Sequence, residues 1–308
     1  KNNQQRATEL VDKNRQYVVV NAFANGPFGG NPAAIFPHAD GLSDETMQAF
    51  AKQLNLIETV FVLPEKDGID FRLRYFTPGA EIPIAGHPTI AAWIAMMHKG
   101  VIDVAKKRSY VQVNQAGTQE ISIDNSDSSN SVVTMKQIKP KFIDAAFAPT
   151  QIASVFAIDV QDLHPELVPR VVDVGLGHII VPLRSLDALM RVTRRIEPLR
   201  ELVESVGMRE AQLFCFESID QSLDLHTRNL CPREGLEDPA CGNGNGALAA
   251  YLSKYHWTDK KEFSLRIEQG NIINMPSIIH IRTVRNADEI EVYVGGSGVV
   301  MLEGQFLI

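Results

Sequence analysis

The sequence predicts an α+β protein built as two similar lobes, and three observations carry that expectation. At 308 residues the chain is long for one hydrophobic core, so two domains are the natural starting point. Short apolar or alternating strand patterns outnumber helical ones, which fits α+β better than a doubly wound sheet. Two distant segments, Ala80–Gly100 and Gly235–Leu252, share one grammar: an acid, a glycine with polar company, then a helix of small and apolar residues. Such a repeat points to a pseudo-duplicated protein whose helix N-termini converge on one small anionic ligand, since the first N–H groups of a helix have no partners within it.

The elements follow in order. Lys1 to Gln16 is polar and unpatterned and reads as a tail or loose helix. Tyr17–Phe23 reads as a buried strand, and a Gly-Pro-Phe-Gly-Gly-Asn turn leads to a second strand, Ala33–Phe36. Ser43 suits the N-cap of a helix to about Leu54 with Met47, Phe50, Ala51 and Leu54 on one face. Strands at 59–63 and 71–77 lead into the helix opened by Gly86 and His87, where Pro88 fits the first turn and Gly100 the stop. Strands follow near 110–113, 120–123 and 132–137, and 139–149 reads as a linker. The pattern then restarts with a helix at 152–156, strands at 170–174 and 178–182, helices at 186–192 and 199–206, and strands at 211–217 and 223–230. After the glycine-rich loop and its helix, strands at 262–268, 278–284 and 289–294 close the pattern. The expected lobes are 17–138 and 139–298, with 299–308 as a final strand returning to the first.

Composition narrows the function. A net charge of −7 argues against a nucleic-acid partner, and no apolar run reaches membrane-spanning length or forms a signal-peptide core. A cytoplasmic protein is therefore expected. Three cysteines, Cys215, Cys231 and Cys241, are too few for a disulfide framework and leave at least one free thiol.

Several motifs carry chemistry. Gly242–Ala247 formally fits the dinucleotide fingerprint, but about eleven residues, Pro232 and Pro239 among them, separate it from the preceding strand. A nucleotide cofactor is therefore not expected. Asp238 and Cys241 stand at the rim of that loop. Cys241 reads as a thiol activated by the helix start or as a small core residue. Glu58, between Ile57 and Val60, reads as a desolvated acid with a raised pKa suited to proton transfer, or as an exposed loop glutamate; on spacing alone the plainer reading is preferred. His87 reads as a helix cap or a ligand contact. His226, Cys231 and Cys241 lack zinc spacing, so no metal is expected, and His178, His38 and the remaining histidines fit no motif.

Taken together, Val20–Phe23, Gly30–Ile35, Asn55–Phe61, Arg74–Pro78 with Glu81, Gly86–Ala92, Glu237–Ala240 with the glycine loop, Gln269-Gly270 and Val294–Gly296 resemble the PhzF family. These are the phenazine biosynthesis isomerase-like proteins related to diaminopimelate epimerase and proline racemase. The resemblance spans nearly the whole chain. It implies a diaminopimelate-epimerase-like fold of two pseudo-symmetric lobes, each a sheet wrapped around a central helix, with a cofactor-free site in the cleft between them. It implies that Glu58 shuttles a proton with His87 and Asp238 as further catalytic residues, and that the protein is a homodimer acting on a small carboxylate. Asn31, Gly86, Pro88, Thr89, Cys241, Gly242, Asn243 and Gly244 are the expected substrate or anion contacts. Departures from the family pattern at Ile57, Ala85 and Cys241–Asn243 point away from the phenazine precursor as substrate. Three functional classes stand: an isomerase using Glu58, an epimerase or racemase using Cys241 with Glu58, and a ligand-binding protein without turnover. Ala85 stands where a racemase would carry its second thiol, which disfavours a symmetric two-cysteine mechanism.

Overall fold

The computed structural model describes residues 13–127, 129–232 and 235–308. The expectation of a tail or loose helix at Lys1–Gln16 falls mostly outside them. The chain divides into two compact units: one runs to Met135 and includes Gly296–Ile308, and the other is Lys136–Gly295.

In the first unit, β1 (Gln16–Ala22) pairs antiparallel with both β2 (Asn31–Phe36) and the C-terminal strand Gly298–Gln305. β2 runs parallel to β3 (Thr59–Pro64), which pairs antiparallel with β4 (Phe71–Phe76). β4 holds the short β5 (Glu81–Ile82) antiparallel and β6 (Ser109–Asn114) parallel. β7 (Gly117–Asp124) and β8 (Val132–Lys136) continue as an antiparallel meander.

Helix α1 (Asp44–Leu54) starts at Ser43, whose Oγ accepts from Thr46 N–H at 3.2 Å, and ends at Asn55 in the left-handed region. It buries Met47, Phe50 and Ala51 against Phe36, Phe61 and Phe76. Helix α2 (His87–His98) is the core helix: every side chain from His87 to Met96 is buried, with β1, β2 and the C-terminal strand packed on it. A helix apolar on all sides is one enclosed by its sheet.

The second unit repeats this order. β9 (Lys141–Ile143) pairs antiparallel with β10 (Arg170–Asp173), and β10 with β11 (Gly177–Pro182). β11 runs parallel to β12 (Glu210–Cys215), and β12 antiparallel to β13 (Leu225–Cys231). β13 holds the short β14 (Leu236–Asp238) antiparallel and β15 (Glu262–Gln269) parallel, and β16 (Ser277–Asn286) and β17 (Glu289–Gly296) form the meander. Helices α3 (Pro149–Phe156), α4 (Leu186–Arg191) and α5 (Ile196–Ser205) contribute to an apolar layer with Leu189, Leu199, Leu202 and Leu213 at its centre. The core helix is α6 (Gly242–Tyr255).

The duplication reaches individual ion pairs. Arg74 on β4 grips Glu81 on β5 through two bonds of 2.8 and 2.7 Å, and Arg228 on β13 grips Glu237 on β14 through two of 2.7 and 2.8 Å. Each fork fixes a short strand whose chain then enters a core helix. Sequence patterning missed both short strands, which are too brief to show periodicity, and missed β9 inside the expected linker. β14 also lies within the stretch read as separating a strand from the glycine loop.

Beneath each helix start lies a buried polar network. In the first unit Tyr75, Thr89, Gln112, Asn114 and Gln119 interlock, and Trp93 Nε1 donates to Gln112 Oε1 at 2.7 Å. In the second, Gln212, Thr227, Asn229, Asn245 and Gln269 do the same. The second network explains Gly244: a Cβ there would lie 2.2 Å from Gln212 Oε1 and 2.9 Å from Asn229 Nδ2. Gly244→Ala is expected to destabilise the protein by about 1–3 kcal/mol in urea denaturation, because overpacking outweighs the better helix propensity of alanine.

Candidate active site

In the first unit three chain segments meet. Glu58 sits in the turn between α1 and β3, and its carbonyl receives Ala34 N–H at 3.4 Å. Asn31 opens β2, with its side chain buried. His87 opens α2 after Gly86, which contributes no side-chain cap. His87 Nε2 lies 3.4 Å from Glu58 Oε2, and the two side chains are only 7% and 16% exposed. Glu58 is thus not the exposed loop residue of the plainer reading.

The protonation of His87 follows from its partners. Burial pushes its pKa down to about 3, against a smaller opposing effect of its bond with the Pro32 backbone. The ring is therefore neutral near pH 7. Nε2 makes no hydrogen bond among the described residues, so Nδ1 is the atom that meets the Pro32 carbonyl and carries the ring proton. Nε2 then presents a bare lone pair towards Glu58, at a distance too long for a well-formed hydrogen bond. Glu58 thus has a neutral acceptor beside it.

Burial of His87 also has a stability consequence. Its folded pKa, about 3, lies below the ordinary value of 6.5, so the unfolded chain binds the extra proton between those limits. Stability from this group is complete above pH 6.5 and falls as pH drops towards 3, by an amount on the order of 4 kcal/mol. His87→Gln is expected to flatten that part of the stability curve, as measured by urea midpoints from pH 7 to 4.

The remaining expected contacts of this unit divide. Pro88 occupies the first turn of α2. Thr89 is fully buried; its hydroxyl donates to Ala85 O at 2.7 Å and lies 2.6 Å from Tyr75 OH. It holds the helix entrance together.

In the second unit Asp238 ends β14. Its Oδ1 accepts from Ala240 N–H at 2.8 Å and its carbonyl accepts from Gln269 Nε2 at 2.7 Å, which shapes the turn into α6. Gly270, with φ of +85°, follows Gln269 where a Cβ would strike the Met275 and Pro239 carbonyls. Cys241 caps α6, and its Sγ accepts from Gly244 N–H at 3.2 Å. Gly242 is buried in the first turn, and Asn243 is partly exposed beside it.

His178, set aside on sequence grounds, is brought to Cys241. Its Nε2 lies 3.0 Å from Glu210 Oε2 and 3.8 Å from Cys241 Sγ, and that sulfur is 3.8 Å from the same Glu210 oxygen. Burial pushes Glu210 up, but the hydrogen bond and charge of His178, with help from Asn229 and Arg209, outweigh it and hold the carboxylate below its usual range. Burial first, then the Glu210 and Asp238 charges, push the Cys241 thiol well up. Cys241 is accordingly a protonated thiol, and the helix start does not make it reactive. His226 and Cys231 are engaged elsewhere, with Glu268 at 2.7 Å and Asn229 at 3.0 Å. None of the three cysteines forms a disulfide among the described residues.

The chain has counterparts among known proteins. The model of the phenazine biosynthesis-like PhzC-PhzF family matches residues 20–304. The chain belongs to this family. A trans-2,3-dihydro-3-hydroxyanthranilate isomerase of Pseudomonas chlororaphis is 30% identical over 95% of this chain and 99% of its own. An uncharacterized isomerase of Clostridium acetobutylicum is 29% identical over 94% of this chain and 97% of its own. The crystal structure of a PhzF-family protein from Bacillus anthracis superposes with a TM-score of 0.87 at 29% identity, covering 95% of this chain and 99% of that one. A probable proline racemase from Agrobacterium radiobacter K84, 12% identical, shares the fold with a TM-score of 0.63 over 95% of this chain and 93% of that one. The fold is therefore of the diaminopimelate-epimerase-like type, and the chain is an enzyme of the isomerase class. Among the described residues no helix is long and apolar enough to cross a membrane.

Proposed function

We propose that the protein is a cofactor-independent isomerase that moves a proton between carbons of a small carboxylate-bearing metabolite, with Glu58 as the acid and base. The observation that supports this most is the largely enclosed Glu58 beside a buried, neutral His87 whose bare Nε2 faces the carboxylate. A carboxylate enclosed in this way removes a proton from carbon more readily than a hydrated one, and the same group can return it elsewhere. His87 Nε2 would orient a hydroxyl or amino group of the substrate, and the start of α2, without a side-chain cap, favours the negative charge that develops.

The Pseudomonas chlororaphis relative is named for its action on trans-2,3-dihydro-3-hydroxyanthranilate, and that cyclic carboxylate heads the panel to try. Incubation of small cyclic amino and hydroxy acids with the protein in heavy water is expected to yield mass-shifted or isomerised product from at least one member. A panel that shows neither exchange nor isomerisation, while binding one member, would leave a binding protein instead. The second reading, an epimerase using Cys241, draws on the thiol–imidazole contact at 3.8 Å. The protonated state of that thiol suits it to donating a proton and not to removing one.

A further inference from the structure

We infer that His178, Glu210 and Cys241 form a zinc site in the second unit, with three protein ligands and one position left for water or another small donor. No local spacing announces it. The three residues come from β11, the start of β12 and the cap of α6, and parallel pairing sets His178 directly opposite Glu210.

The donor atoms lie within a few tenths of an ångström of the separations zinc requires. A tetrahedral zinc ion bonds sulfur at ~2.3 Å, nitrogen at ~2.0 Å and oxygen at ~2.1 Å, which places its ligand atoms about 3.4 to 3.6 Å apart. Here Sγ lies 3.8 Å from Nε2 and 3.8 Å from Oε2, and Nε2 lies 3.0 Å from Oε2. All three ligand atoms fall within 4.8 Å of one another. Shifts of a few tenths of an ångström complete the tripod.

The surroundings orient each ligand. His178 Nδ1 lies 2.9 Å from the Leu176 carbonyl, which only accepts, so Nδ1 carries a proton and Nε2 is directed at the cluster. Gly244 N–H points at Sγ from 3.2 Å, a contact that favours a thiolate. Sulfur, nitrogen and carboxylate in one set suit zinc and disfavour magnesium or calcium, which take oxygen ligands. Binding expels two protons, the thiol proton and the one held between His178 and Glu210, so the occupied site needs neither. Zinc occupancy thereby takes Cys241 out of proton chemistry.

The test uses the full chain after treatment with a chelator. Cobalt(II), as a coloured stand-in, is expected to bind in one equivalent with a thiolate charge-transfer band that zinc abolishes. Cys241→Ser is expected to lose the band, and His178→Gln to weaken zinc binding by more than about 100-fold, with circular dichroism checking that both fold. A measurement on the unaltered protein guards against misfolded variants: zinc should slow alkylation of Cys241 at least tenfold while Cys215 and Cys231 keep their rates, read by peptide mass mapping. Absence of the one-equivalent band, its persistence in folded Cys241→Ser, or equal alkylation of Cys241 with and without zinc would each overturn the assignment.

Discussion

Replacing Glu58 by glutamine is expected to lower turnover by about 10³-fold while the protein stays folded. The amide keeps the size of the side chain but does not act as an acid or base near neutral pH. Because Glu58 lies in a turn and not within a strand or helix, its side chain carries little of the fold. His87→Gln should cost less, about tenfold to 100-fold, because the amide can still orient a substrate through a hydrogen bond. Equal and total losses in both variants would point to a collapsed site and not to a proton shuttle. The check is steady-state turnover on whichever acid the heavy-water panel identifies, with thermal melting in parallel.

The second large effect concerns stability. Arg228→Gln is expected to cost about 3–5 kcal/mol, because it leaves Glu237 buried without its partner. The side chains of that pair are 4% and 7% exposed, and Arg228 Nη1 also donates to the Leu189 and Val192 carbonyls. The matching pair of the first unit provides an internal control. Arg74 and Glu81 are each 21% exposed, so water can partly replace the lost contacts and Arg74→Gln should cost only about 1 kcal/mol. Urea denaturation of the two variants side by side tests this. Similar losses would show that exposure does not govern the two forks.

The sequence showed much of this architecture because the strands alternate cleanly and the helix ends carry their own signals. Ser43 caps α1, Pro88 occupies the first turn of α2, and the all-apolar face pattern of α2 and α6 marks enclosed helices. The C-terminal strand pairs with β1 along its length. The short β5 and β14 were illegible because two or three residues cannot show a period; the arginine forks that fix them are long-range contacts. Glu58 was legible as a residue but not as a largely enclosed one, since only the fold lays α2 beside it.

His178 and Glu210 were missed for a related reason. They are 32 residues apart, and Cys241 lies 63 residues beyond His178, so no local motif links them. The duplication offered a signal that could have found them. In each half an acid at or just before the start of one strand, Glu58 at β3 or Glu210 at β12, touches the residue that opens the core helix, His87 or Cys241. Aligning the two halves element by element would have paired Glu58 with Glu210 and pointed to the start of each core helix, where the chemistry differs. One half keeps a neutral imidazole against a carboxylate, whereas the other keeps a thiol against a carboxylate held by a histidine.

The most direct test of the proton-shuttle role is carbon-bound deuterium incorporation from heavy water, followed by mass spectrometry, in the unaltered protein, Glu58→Gln and Cys241→Ser. Exchange that disappears in Glu58→Gln and slows less than tenfold in Cys241→Ser is the expected result. Exchange that survives in Glu58→Gln and disappears in Cys241→Ser would contradict it and place the chemistry on the thiol of the second unit.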